Sequence, residues 1–74
     1  MGSIPVLKPR EVMRMLEAMG FVNVRQRGSH VQYRRPDGRC TTVPFHVNRD
    51  ISPFLLRQIA KDIDVRMEDF LRYR

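Results

Sequence analysis

A chain of 74 residues has room for one small domain, and a hydrophobic share of 42% argues for a folded domain over a disordered one. The net charge of +6, from 14 lysines and arginines against 8 acids, points to an anionic partner: RNA, DNA or an acidic protein. The lone Cys40 excludes a disulfide scaffold and suits a reducing cytoplasm, the scattered His30, His46 and Cys40 lack zinc spacing, and no stretch reaches the roughly 20 apolar residues that span a bilayer.

Met1 to Leu7 reads as an extended lead-in, with Met1-Gly2-Ser3 compatible with an expression remnant and Ile4, Val6 and Leu7 placed to lie against the core. Lys8-Pro9 opens the first helix, with Pro9 at the first helical position, where a missing N–H costs nothing. Val12, Met13, Leu16 and Met19 recur at helical spacing, Glu11, Arg14 and Glu17 fall on the other side, and Gly20 is a stop. The methionines are core and gap-fillers.

Phe21 to Gln26 and His30 to Arg35 read as two strands of a hairpin. The loop is placed at Arg27-Gly28, where glycine supplies the positive φ that such loops need. Pro36-Asp37-Gly38 predicts a three-residue turn with a bulge, followed by a third strand from Arg39 to Phe45. Pro44 lacks an N–H, so this end of the strand sits on an edge or leaves the sheet. These loops put Val22, Val24, Val31, Tyr33, Val43 and Phe45 on one face. The other face then carries Asn23, Arg25, His30, Gln32, Arg34, Cys40 and Thr42, with His30 between Arg25 and Pro44.

Val47 to Ile51 reads as a loop. Ser52 caps a second long helix with Pro53 at its first position. Leu55, Leu56, Ile59, Ala60 and Ile63 form its apolar stripe, Arg57 and Lys61 face out, and Asp64 ends it. Val65 to Leu71 reads as a short last helical turn and Arg72-Tyr73-Arg74 as a frayed basic tail. The order is α-β-β-β-α with a short C-terminal helix. This is an α+β layout, with a three-stranded antiparallel sheet covered by helices on one face, that of a double-stranded RNA-binding domain in miniature.

The stretch Arg25-Gln26-Arg27-Gly28-Ser29-His30 concentrates the chemistry. Imidazole is the side chain whose unperturbed pKa lies near neutrality, and here it sits among arginines at a hairpin mouth. That placement suits meeting a polyanion and moving protons there. Taken alone, the residue is a surface histidine. His46 would come diagonal to His30 if the hairpin ran on past Pro44, and would be a loop residue if Pro44 bends the chain away.

These residues resemble the HicA-type toxins. Gly20-Phe21 matches the end of that family's first helix, Arg25 to His30 its Arg-Gln-x-Gly-Ser-His signature, and Thr42-Val43-Pro44 with His46 its Thr-Val-Pro-x-His segment. Ile51, Leu56-Arg57-x-Ile59 and Phe70-Leu71 match its C-terminal half. Pro53-Phe54-Leu55 departs from the family's Gly-Thr-Leu, and Asp64 stands where a glycine commonly ends the helix. The resemblance implies a type II toxin that cleaves mRNA, with His30 catalytic, no cofactor, and a HicB-type antitoxin covering the active site.

On that reading His30 is general base or acid, and Arg25 and Arg27 neutralise the scissile phosphate. Ser29 orients His30, donates to the phosphate, or is a plain turn residue facing the core side, and His46 is a candidate for the second proton. Arg34, Arg35, Arg57 and Lys61 track flanking phosphates. Two rivals use the same features: a double-stranded RNA-binding module without cleavage, and a subunit whose basic face serves an acidic protein.

Overall fold

A computed structural model describes residues 4–46 and 48–74; the expectations for Met1-Gly2-Ser3 and for Val47 lie outside the described residues. The elements follow the expected order: α1 (Pro9–Ala18), β1 (Val22–Arg27), β2 (His30–Arg34), β3 (Cys40–Pro44), α2 (Pro53–Asp62) and α3 (Met67–Leu71). The strands form one antiparallel sheet in the order β1-β2-β3. The fold is the α+β arrangement expected, with both long helices on one side of the sheet and the other side open. No helix among the described residues is long and apolar enough to cross a membrane.

Both long helices start as their sequences dictate. The Lys8 backbone N–H donates to Glu11 Oε1 at 3.2 Å, and Pro9 follows at the first helical position. The Ser52 hydroxyl accepts the Leu55 N–H at 3.2 Å, with Pro53 next. In α1 the fully buried methionine is Met15; Met13 and Met19, expected on the stripe, pack at its margin. The core joins Val12, Met15 and Leu16 of α1 to Leu56 and Ile59 of α2, over Val31, Tyr33 and Val43 of the sheet. Leu7 and Ile51 bridge as an antiparallel pair (Ile51 N–H to Leu7 O, 2.7 Å), so the lead-in and the loop before α2 close the core together. Val6 points out instead, at 57% exposure.

Tyr33 is fully buried, and its hydroxyl donates to Glu17 Oε2 at 2.9 Å. Burial, and then the neighbouring carboxylate, push the hydroxyl pKa well above its ordinary value. The pair ties the middle of the sheet to α1.

The β2–β3 register is the expected one: Val31 faces Val43, Tyr33 faces Thr41 and His30 faces Pro44. Gly38, at φ +97°, closes the turn. Asp37 accepts the Arg39 N–H and both the Arg35 and Arg39 guanidiniums. The Arg39 N–H first, then those two charges, hold the Asp37 carboxyl below the usual carboxylate range.

The β1–β2 register corrects the expectation. The loop is Gly28-Ser29, so Arg27 faces His30 and Gln26 faces Val31. Gly28 has φ +59° and Ser29 has no positive φ, which fits a type II′ turn with glycine first. Val31 thus meets Gln26 instead of Val24, a shift of two residues that keeps Arg25 on the open face opposite Gln32, and a bulge between Asn23 and Arg25 then slips the far end of β1 by one residue and puts Val22 opposite Arg34. Val22 and Val24 consequently leave the core and are 57% and 55% exposed. As an edge strand, β1 lies beyond the helices, which pack chiefly on β3.

The α2 helix ends in a Schellman arrangement. Val65 N–H donates to Ala60 O and Asp64 N–H to Lys61 O, both at 3.1 Å. Asp64 occupies the left-handed position at φ +58°, the position a glycine fills without strain. Its carboxylate also faces the negative end of the helix dipole. The left-handed strain of an L-residue, about 1–2 kcal/mol, exceeds the glycine's extra unfolded-state entropy of about 0.5–1 kcal/mol. Asp64→Gly therefore raises stability by about 1 kcal/mol. An upward shift of the urea midpoint at unchanged slope is the expected result, and a downward shift contradicts it.

Candidate nucleic-acid interface and active site

Period-two alternation along three paired strands turns the open face into a grid. Its first row is Arg27, His30 and Pro44; its second is Arg25, Gln32 and Thr42; its third is Val22, Arg34 and Cys40. Rows are about 6.7 Å apart, two residues of strand. Tyr33, Val31, Val43 and Thr41 point the other way and are buried, which fixes this face as the outward one.

His30 lies in a hollow of about 280 Å³ lined by Arg25, Arg27, His30, Gln32 and Thr42. Two arginines of β1 share the hollow with one imidazole of β2, and no acid lines it. None of Arg25, Arg27 and Arg34 takes part in an ion pair among the described residues, and each is exposed, as is His30. A phosphate entering this hollow meets two fixed cations and a group able to give or take a proton.

Backbone chemistry holds the site in place. The Ser29 carbonyl accepts the Phe45 N–H at 2.6 Å, which extends the β2–β3 pairing one step past Pro44 and pins the hairpin loop to the third strand. The Gln26 amide donates to Gly28 O at 3.2 Å across the same loop. Ser29 is half-buried beside His30 in sequence.

The other candidate residues fall elsewhere. β3 ends at Pro44; His46 follows in a turn, its carbonyl accepting the Arg49 N–H, and it does not line the His30 hollow. The guanidinium of Arg35 is committed to structure: Nε donates to Met19 O at 2.8 Å and a terminal nitrogen to Asp37 at 3.0 Å, tying the end of α1 to the β2–β3 turn. Arg57 and Lys61 line a separate hollow of about 480 Å³ with Ile4, Val65, Arg66 and Met67, on the helical side. Arg34 belongs to the open face but lines a second hollow next to that of His30.

Val24, Gln32 and Thr42 are site residues that the sequence reading left out. Gln32 and Thr42 were legible on the open face but carry no charge to draw notice. Val24 comes there through the bulge, and the signal was Gly28, whose place in the loop sets the register.

No protein of curated function matches the chain. A family model does, described as HicA toxin of bacterial toxin-antitoxin, over residues 9–65. That span begins with the first residue of α1 and closes with the Schellman turn after α2, so it takes in the whole sheet and the His30 hollow. The chain therefore belongs to the HicA toxin family, as the toxin of a toxin–antitoxin pair with an antitoxin for its partner.

Proposed function

We propose that the chain is a metal-independent endoribonuclease that cleaves mRNA in the cytoplasm through His30, and that a HicB-type antitoxin neutralises it by covering the open face. The observation that carries this reading is the hollow that His30 shares with Arg25 and Arg27. RNA brings its own nucleophile. The 2′-oxygen attacks phosphorus, the bond from phosphorus to the 5′-oxygen breaks, and the 5′-oxygen leaves with a proton, giving a 2′,3′-cyclic phosphate. His30 moves one proton of this exchange, from the 2′-OH or to the 5′-oxygen. Arg25 and Arg27 bear the charge that builds on the phosphoryl oxygens. The second proton passes to or from solvent, which reaches this face freely, while Ser29 fixes the approach of His30. Arg34 extends the basic track along the sheet and adds to the salt dependence of binding.

The test is cleavage of RNA by the purified chain in excess EDTA, with binding of the same RNA followed in parallel. Cleavage under these conditions supports the ribonuclease reading. Binding without cleavage contradicts it and favours a non-catalytic RNA-binding module.

A further inference from the structure

Beside the His30 hollow lies another, of about 390 Å³, lined by Val24, Gln32, Arg34, Cys40 and Thr42, by Tyr33 and Thr41, whose side chains turn to the core, and by Asp62 at the end of α2. The two share Gln32 and Thr42 as a common wall. Their chemistry differs. The first holds two arginines and no acid. On the open face the second holds one arginine, an amide, the Thr42 hydroxyl and the apolar sides of Val24 and Cys40, and one acid, Asp62, reaches it from α2.

We propose that the second hollow is a nucleobase subsite, which takes the base next to the phosphate held at His30 and favours bases with an exocyclic amine over uracil. The proposal rests on the ribonuclease reading for the position of that phosphate. The hollows lie about one row apart, about 6.7 Å along β2, so that a single nucleotide bridges them. Gln32, in the wall between, presents a coplanar donor and acceptor, the pairing that reads a base edge. Arg34 offers a planar cation on which a base can stack. Asp62 accepts from the Thr41 hydroxyl at 3.0 Å and the Gln58 amide at 3.3 Å, so its side chain is held in place. A fixed negative charge repels phosphate and attracts an amine. Among the four RNA bases, uracil alone lacks an exocyclic amine. The bulge of β1 has a use here: it turns Val24 onto the open face, where it forms an apolar wall of the hollow.

Two readouts test this. In the first, cut sites in a random RNA pool are sequenced for the wild-type chain and for Val24→Phe and Cys40→Phe, two fillings of the hollow from opposite edge strands. Uracil is expected to be depleted about fivefold or more at one position beside the cut, and both fillings flatten that depletion. In the second, N-ethylmaleimide labels Cys40, the only cysteine, in the native chain. Bound 2′-O-methyl oligoadenylate slows labelling, and the same oligomer with an abasic residue placed in the hollow does not. A flat wild-type profile, a profile that both fillings leave unchanged, or labelling indifferent to bound RNA overturns the subsite. Loss of antitoxin binding in the filled variants with the base profile intact assigns the hollow to a protein and overturns it likewise. RNA that binds and shields Cys40 yet is never cut sustains the subsite and defeats the ribonuclease reading alone.

Discussion

Replacing His30 with alanine lowers the rate of RNA cleavage by about 10²–10⁴-fold, the usual contribution of one general acid or base. RNA affinity stays within a few-fold, because the charges that draw the backbone belong to Arg25, Arg27 and Arg34, and none of these contacts His30 through an ion pair that the substitution would break. Each phosphate neutralised on a single strand contributes about 0.7 to the slope of log affinity against log salt. Three arginines therefore account for a slope of about 2, and His30→Ala leaves that slope unchanged. His30 is exposed at the start of an antiparallel strand, so its loss costs little stability. Rate, affinity and thermal midpoint measured on one preparation separate this outcome from simple unfolding. A parallel fall in all three contradicts it.

Replacing Phe70 with alanine destabilises the chain by about 3–5 kcal/mol, the cost of truncating a fully buried ring. Phe70 is the one fully buried residue of α3, a helix of five residues that lies outside the matched family span. So short a helix has no stability of its own and is held by that ring. Domains of this size sit at the low end of the usual 5–15 kcal/mol range, so the variant is largely unfolded at room temperature. Glu68→Ala, on the exposed side of the same helix, stays within about 0.5 kcal/mol and serves as the control. Urea unfolding of both variants measures the difference. A Phe70→Ala midpoint near that of wild type would show that α3 is dispensable.

The helices were legible because their starts are written in local chemistry: Lys8-Pro9 and Ser52-Pro53 each set a cap and a first helical residue. The β2–β3 register was legible because Pro36-Asp37-Gly38 allows few loop lengths and the alternation of Val31, Tyr33 and Val43 agrees with the loop. The β1 register was not. Val22 and Val24 alternate like core residues, and that pattern drew the loop to Arg27-Gly28. The turn takes glycine first, and a bulge has no signature in a period of two. The outcome for the site was mild, since a shift of two residues leaves Arg25 on the face where the expectation had placed it.

Among the site candidates, the position of His30 on the open face followed from its place in β2 alone, which is why the register error in β1 did not move it. Arg35, Arg57 and Lys61 were chosen for charge, and charge does not reveal direction. Arg35 finds its partners in the end of α1 and in Asp37, both fixed only by the tertiary fold. Arg57 and Lys61 lie on α2, across the sheet from the His30 hollow. His46 depended on whether Pro44 ends the strand, and it does.

In the proposed function this face cuts RNA by proton transfer at His30, with the 2′-OH as nucleophile. The most direct measurement uses a pool of random DNA strands, each with a single ribonucleotide at a known position, incubated in excess EDTA with the wild-type chain and with His30→Ala. Cutting by the wild type only is expected, immediately 3′ of the ribonucleotide and leaving a 2′,3′-cyclic phosphate. Cutting that needs a divalent ion, that occurs between deoxynucleotides, or that survives in His30→Ala would contradict it.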